Sequence, residues 1–110
     1  MALIRIEGLP DDPLAAAAHF YGAIVPQLAQ AGGDLLLAFP LADHAHRGWR
    51  VAAVQALARA AAPRRINAVA AATAAALASA EAYLAAAPGV TGQYWPLDDA
   101  GAGLVLSFTE

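Results

Sequence analysis

The apolar run DLLLAF at residues 34–39 constrains the fold of this chain more than any other stretch of its sequence. The run has the length of a strand, and it lacks the polar alternation of a strand that faces water on one side. A strand of this kind is covered on both faces, which is typical of a parallel sheet between two layers of helices. We therefore predict that residues 34–39 form a central strand.

The segments on either side of this run alternate between helical and strand patterns. Residues 14–31 predict a helix, in which Pro26 predicts a kink or a break. A second helix is predicted over HRGWRVAAVQALARAAA, which ends before a proline, and a third over TAAALASAEAYLAAA, which a Pro-Gly pair stops. The other predicted strands are residues 3–7 and the stretches RRINAVAA, QYWPL and LVLSF.

The first predicted helix has a single apolar seam. Apolar residues recur there at spacings of three and four, which places them on one face of a helix. We therefore predict that this seam packs against the sheet. Its residues are Leu14, Ala18, Tyr21, Val25 and Leu28.

The predicted elements follow one another in the order β-α-β-α-β-α-β-β. Consecutive strands that are joined by helices form a parallel sheet, whereas a strand that follows its neighbour after a short turn is antiparallel. We therefore predict a single α/β domain over residues 1–110. It is a three-layer sandwich of about four parallel strands in sequential order, a short antiparallel C-terminal strand and three main helices.

The composition excludes several classes of function. A net charge of −3 with 14% charged residues provides no basic surface, so we expect no nucleic-acid partner. The sequence has no run of about 18 large apolar residues and no signal-peptide pattern, which predicts no membrane segment and a cytoplasmic location. Because it has no Cys, it can form no disulfide, and no thiolate can act as a nucleophile or a metal ligand.

Three stretches resemble, in the same order, the second half of the short-chain dehydrogenase/reductase family. GAIVPQLAQAGGDLLLAFP is similar to the helix and strand that lead to the family's catalytic Ser. APRRINAVAA is similar to the strand after its catalytic helix, with one residue missing before Asn67. ALASAEAYLAAAPGVTGQYWPLDDAG is similar to its last helix and strand, where Gly92, Gln93, Leu97 and Asp98 match. The resemblance implies a reduced Rossmann-like fold from the family's fourth strand onward.

The family's cofactor loop and catalytic residues have no counterpart in the sequence. The family holds the cofactor on a Gly-rich turn before a helix, whereas GAG at residues 101–103 is predicted to be a hairpin turn. The chain has no Lys, Arg47 and Val51 stand where the family's Tyr and Lys would be, and Ser79 and Ser107 lie elsewhere. The resemblance therefore implies a truncated, degenerate member without the dinucleotide-binding half, which binds no cofactor and is a pseudoenzyme.

The one dense polar cluster is DHAHRGWR at residues 43–50, which follows the predicted central strand at the end where α/β sheets place their sites. Two interpretations are open. Asp43, His44, His46 and Arg47 could bind a ligand or a metal, or carry out acid-base chemistry. Alternatively, Asp43 caps the second helix and the His, Arg and Trp residues occupy its exposed first turns. We favour the second interpretation, because clusters of this kind are more often found at the surface.

A basic pair, Arg64 and Arg65, lies between the second helix and the third strand. Guanidinium groups bind phosphates and carboxylates well. A basic pair in a connecting segment is nevertheless usually solvated, so we predict that both side chains face solvent.

An open sheet edge predicts association with another chain. In the resembled family the fourth strand lies beside the first, so residues 3–6 would form a free apolar edge, which invites pairing. Small residues on the second and third helices permit close approach of a partner helix. We therefore expect a homodimer or a hetero-oligomer with a related dehydrogenase. The small residues are Ala52, Ala56 and Ala60 on one helix and Ala74, Ala78 and Ala82 on the other.

Three functions follow as hypotheses, and we favour the first. It is a non-catalytic protein that acts through oligomerisation, as a homo-oligomer or as an accessory subunit of a full-length dehydrogenase. The second is a small-ligand binding module that uses the strand ends near Pro40, Asp43 and Asn67. The third is an enzyme of unknown chemistry that is centred on the polar cluster at residues 43–47.

Overall fold

In the computed structural model, which describes residues 1–97, the apolar run forms strand β2 (Leu35–Phe39), and all five of its residues are buried. β2 lies between β1 (Ala2–Arg5) and β3 (Ile66–Ala70), and β4 (Tyr94–Pro96) lies beyond β3. Each neighbouring pair of strands is parallel. The prediction of four parallel strands in sequential order is confirmed, and the predicted antiparallel strand LVLSF lies outside the described residues.

Helices cover both faces of this sheet. The first helical segment (residues 13–28) and α3 (Arg47–Ala61) cover one face, and α4 (Ala74–Ala85) covers the other, so the predicted sandwich with three main helices is confirmed. Within residues 1–97, every helix falls short of the length and apolar character that a membrane crossing requires. Successive β2 side chains point to opposite faces. Leu35, Leu37 and Phe39 lie on the α3 side, and Leu36 and Ala38 lie on the α4 side.

The first helical segment is divided where Pro26 predicts a break. α1 (Pro13–His19) is followed by a π-helical stretch (Phe20–Ile24) and then by α2 (Val25–Leu28), with Pro26 in the first turn of α2. Proline has no N–H to donate to the preceding turn, and a π-helical stretch before it accommodates the missing bond. The predicted interruption of the helix is therefore confirmed.

The buried face of this segment differs from the predicted seam. Leu14 and Tyr21 are 81% and 47% exposed, so their prediction as core positions is wrong. Leu28 is buried as predicted, and the other buried residues of the segment, Ala16 and Phe20, lie outside the predicted seam. The seam starts on the wrong face of α1, because Leu14 and Ala18 are exposed there, whereas Ala16 and Phe20, which are four residues apart, share the buried face.

Candidate functional site

The carboxyl ends of β1 and β2 border a cleft on the side of the sheet that carries α3. After β2 the chain passes through residues 40–43 and a 3-10 turn (His44–His46) into α3, and after β1 it passes through residues 6–12 into α1. These loops and α3 border a cleft of about 260 Å³. Parallel α/β sheets place their ligands at this end, so the cleft is the candidate site. Its walls include Leu9, Asp11, Leu41, Asp43, His46 and Arg50.

Asp43 acts as a cap for the turn that leads into α3. Its carboxylate accepts a hydrogen bond from the backbone N–H of Ala45 at 3.0 Å. His44 is exposed in the same turn. Arg47, the first residue of α3, is exposed as well, and its guanidinium carbon lies 5.9 Å from the ring centre of Tyr94. The interpretation of Asp43 as a helix cap agrees with this geometry.

His46 is buried, and both nitrogens of its ring are hydrogen-bonded. Nδ1 accepts a hydrogen bond from the indole Nε1 of Trp49 at 3.1 Å, which leaves the ring proton of a neutral histidine on Nε2. Nε2 then donates to the backbone carbonyl of Asp11 at 2.8 Å. The expectation that His46 lies in an exposed turn is wrong, because these two partners satisfy its polar atoms in the interior and tie α3 to the loop before α1.

The four residues of the predicted polar cluster do not converge on one point. The Asp43 carboxylate is used by the backbone, the His46 ring has partners on both nitrogens, and His44 and Arg47 are exposed. Across residues 1–97, no group of three His, Cys, Asp or Glu side chains is placed to hold a metal ion. The hypothesis of an enzyme centred on this cluster stays a prediction.

Arg50 is buried at the cleft, with 1% of its surface exposed. Its Nη1 donates to the carbonyl of Pro40 at 2.9 Å and to the hydroxyl of Tyr94 at 3.1 Å. Its guanidinium carbon lies 4.6 Å from the ring centre of Phe39. Its Nε is buried and has no hydrogen-bond partner among the described residues. The site thus contains a cation whose hydrogen-bonding capacity is only partly used.

The sequence contains a signal for the burial of Arg50. Ala53, Val54 and Ala58 form the buried stripe of α3, and Arg50 precedes the first two by three and four residues. Residues at these spacings share a helix face, so the pattern directs the Arg50 side chain toward the sheet. The expectation that it would lie in an exposed first turn followed from the rarity of buried arginines and is wrong.

Asn67 lies away from the cleft. It is the second residue of β3, near the amino end of the strand, and it is buried. Its Nδ2 donates to the carbonyl of Val90 at 2.9 Å, and its Oδ1 accepts a hydrogen bond from the backbone N–H of Gln93 at 3.1 Å. Asn67 therefore holds the segment before β4, and the structure does not bring it together with Pro40 and Asp43.

Arg64 and Arg65 are half-buried at the amino end of the sheet, so the prediction that they face solvent is wrong. Arg64 donates to two backbone carbonyls in the segment between α2 and β2. Arg65 forms an ion pair with Asp34 at 2.9 Å and donates to the carbonyls of Leu84 and Ala87 at 3.1 and 2.7 Å. Both side chains therefore connect elements of the fold to one another.

Asp34 receives two hydrogen bonds from Arg65. The backbone N–H of Arg65 donates to Oδ1 at 2.8 Å, and its Nε donates to Oδ2 at 2.9 Å. The backbone bond first, and the side-chain bond second, hold the pKa of Asp34 below its ordinary value of 3.8. The carboxylate is therefore ionised at neutral pH and serves as the fixed counter-ion of Arg65.

Comparison with protein families matches residues 4–97 to the family model described as "Short chain dehydrogenase-like protein". The matched range begins in β1 and ends just after β4, so it includes every helix described above. Comparison with curated protein sequences and with solved structures gave no match.

Proposed function

The chain belongs to the short-chain dehydrogenase-like family, and from this membership we propose that it is a non-catalytic member that acts through association. The partner that we propose is a second copy of the chain, and an accessory role beside a related dehydrogenase is the other form of the proposal. The observation that carries it is the edge of strand β1, which is unpaired within residues 1–97.

Features of the sequence support a non-catalytic role. The chain has no Lys, and Arg47 and Val51 stand at the positions of the resembled family's Tyr and Lys. An exposed arginine and a valine cannot deliver a proton to a substrate alkoxide as that pair does. We also propose that the chain corresponds to the family's fold from the fourth strand onward, which fits the lack of a Gly-rich phosphate turn in its sequence.

β1 is paired on one side only within the described residues. The N–H groups of Ala2 and Ile6 donate to carbonyls of the β2 segment. Alternate residues of a parallel strand direct their backbone groups to the other side, so those of Leu3 and Arg5 point away from β2. An unpaired edge of this kind is a template for another strand.

The surroundings of this edge are self-complementary. Arg5 and Glu7 are both exposed and flank Ile6. In an antiparallel pairing about a two-fold axis at Ile6, Arg5 of each copy would lie opposite Glu7 of the other, which favours that register. Beside them, a groove of about 460 Å³ has both apolar walls, which include Ile4 and Ile24, and polar ones, and a partner's side chains would cover it.

The outer faces of α3 and α4 support the accessory form of the proposal. Ala52 and Ala60 on α3, and Ala74, Ala78 and Ala82 on α4, are exposed. Side chains of this size allow a partner helix to approach closely. In the accessory form of the proposal, a helix of the related dehydrogenase would pack against these alanine faces.

Light scattering coupled to size exclusion tests the proposal. We expect the wild type to form a dimer at micromolar concentration, with twice the chain mass of 11.2 kDa. Arg5→Pro should be monomeric, because proline removes the outward N–H without breaking the pairing with β2. Arg5→Lys, which keeps both the N–H and the charge, is the matched control and should stay dimeric.

A monomeric wild type would overturn the homodimer. Copurification of that monomer with a related dehydrogenase from its host would then support the accessory form, and the lack of any such partner would overturn both forms. An Arg5→Pro variant that is as dimeric as the wild type would show that β1 is not the interface.

A second candidate function is the binding of a small ligand. The observation that favours it is the burial of Arg50 beside the cleft at the carboxyl end of the sheet.

A further inference from the structure

The cleft at the carboxyl end of the sheet has a buried positive charge at its wall. Arg50 lines this cleft together with residues of the loops that follow β1 and β2. We infer that the cleft binds the carboxylate of a small organic monoacid, with the Arg50 guanidinium as its counter-ion. The inference rests on the second candidate function and is independent of association through β1.

No carboxylate within residues 1–97 neutralises Arg50. The ion pair formed in this range joins Arg65 to Asp34. Asp11 and Asp43 line the same cleft, but they are exposed and lie more than 4.0 Å from the guanidinium nitrogens of Arg50. Removing a cation from water without a counter-charge is costly, and folded proteins normally offset that cost with a paired anion.

Within residues 1–97, the hydrogen bonds of Arg50 leave one edge of its guanidinium without a partner. Among the described residues both bonds come from Nη1, to the Pro40 carbonyl and the Tyr94 hydroxyl. Nε has no partner there. Nε and Nη2 form the edge of the fork that grips a carboxylate through two parallel N–H···O bonds. Because Phe39 stacks on the face of the group, that edge is held in one orientation.

The other walls of the cleft indicate the rest of the ligand. Leu9, Pro10 and Leu41 provide apolar surface that suits a short hydrocarbon chain. Asp11 and Asp43 repel a dianion such as phosphate more strongly than a monoanion. A cleft of about 260 Å³ suits a small ligand. These limits select a short-chain monocarboxylate.

Access to the guanidinium requires movement at the rim of the cleft. Arg50 is 1% exposed, so its free edge lies beneath the surface. Leu41 lines the cleft and is 52% exposed. Its side chain can therefore turn toward solvent without disturbing the core. We therefore expect a carboxylate to enter the cleft beside Leu41.

Nuclear magnetic resonance of the arginine Nε–Hε groups tests the inference directly. The chain has six Arg and no Lys, and the signal that disappears in Arg50→Lys belongs to Arg50. We expect sodium butyrate to shift this signal saturably at constant ionic strength. Sodium chloride, which lacks the planar carboxylate, and 1-butanol, which lacks the charge, should leave it in place.

Variants separate a binding site from a purely structural arginine. Arg50→Lys keeps the charge but loses the fork, so we expect its butyrate affinity to be about 10-fold weaker by calorimetry. Leu41→Trp fills the rim and leaves Arg50 unchanged, and it should weaken binding at least as much. Leu14→Trp is the matched control, because Leu14 is 81% exposed and lies outside the cleft. Both tryptophan variants alter exposed side chains, so they test the site even if Arg50→Lys does not fold.

An Nε–Hε signal that butyrate leaves in place would overturn the inference, as would equal butyrate affinities for Leu41→Trp and Leu14→Trp. Tighter binding of inorganic phosphate than of butyrate would overturn the assignment of a monocarboxylate. Because light scattering on the same samples reports association separately, a failure of this site and a failure of the β1 interface are distinguishable.

Discussion

Two arginines pack against opposite ends of the same sheet, and they differ in the partners that surround their charges. At the amino end, Arg65 has Asp34 as its counter-ion and donates to two carbonyls at the end of α4. At the carboxyl end, Arg50 is more deeply buried and has a carbonyl, a hydroxyl and an aromatic ring as its neighbours. Within residues 1–97, the carboxylate is found at the less buried arginine.

The direction of the helices explains this difference. Helices that follow parallel strands end at the amino edge of the sheet, where carbonyls of the last turn can accept a second bond from a guanidinium, as those of Leu84 and Ala87 do. At the carboxyl edge the helices begin, and their free backbone groups are N–H donors, which cannot satisfy a cation. The amino edge therefore supplies Arg65 with carbonyls at the end of a helix, whereas Arg50 has a loop carbonyl and the Tyr94 hydroxyl as its acceptors. This contrast is why we assign stability to Arg65 and a ligand to Arg50.

Replacing Arg65 by Met should have the largest effect on stability. The change removes the ion pair with Asp34 and the two hydrogen bonds from Nη1 to the carbonyls of Leu84 and Ala87, each of which keeps a backbone N–H donor. We expect the free energy of unfolding to fall by about 2–3 kcal/mol, as for lost hydrogen bonds to charged groups. Urea denaturation followed by circular dichroism measures it.

Arg65→Lys is the control for this prediction. Lysine keeps the charge beside Asp34 but cannot reach all the acceptors at once, so it should recover only part of the loss. A stability of Arg65→Met within about 0.5 kcal/mol of the wild type, the usual range for surface changes, would contradict a structural role for Arg65.

Acid should remove the contribution of ionised Asp34 to the free energy of unfolding. Comparison of the wild type with Asp34→Asn measures that contribution. The pKa of Asp34 is lower in the folded state than its ordinary value of 3.8, so its ionised form stabilises the fold at higher pH. That contribution is fully present above 3.8 and is lost as the pH falls through the lower, folded pKa. We expect wild type to exceed Asp34→Asn in stability at neutral pH and the difference to shrink in this acidic range. A difference that does not change with pH would contradict the ion pair.

Local patterns predicted most of the fold. The unbroken apolar run predicted that β2 is buried on both faces, and Pro26 predicted the interruption of the first helix. The cap by Asp43 was also predictable, because a cap depends on residues two or three positions away. In contrast, apolar spacing did not predict the buried face of the first helix, because Leu14 and Ala16 are both apolar and only Ala16 is buried.

The candidate site was less predictable, because its contacts join distant parts of the chain. The Arg50 bond to Tyr94 spans 44 residues, and the Arg65 bond to Asp34 spans 31. Periodicity shows which way a side chain points but not which acceptor it meets. The buried stripe of α3 predicts that the Arg50 side chain points inward. That Arg50 lacks a carboxylate partner among residues 1–97 is evident only from the positions of the loops after β1 and β2.

Replacing Arg50 by Met should change the stability of the ligand-free protein least. The variant loses the two hydrogen bonds from Nη1, but it also removes a buried cation that has no carboxylate partner among residues 1–97. Replacing buried charges by apolar side chains of similar volume is often neutral or stabilising, so we expect the free energy of unfolding to stay within about 1 kcal/mol of the wild type. Urea denaturation of Arg50→Met and Arg65→Met under the same conditions compares their free energies of unfolding directly. A loss as large as that of Arg65→Met would mean that Arg50 serves to join Pro40 to Tyr94, because a residue held for its ligand contributes little to stability when the ligand is absent.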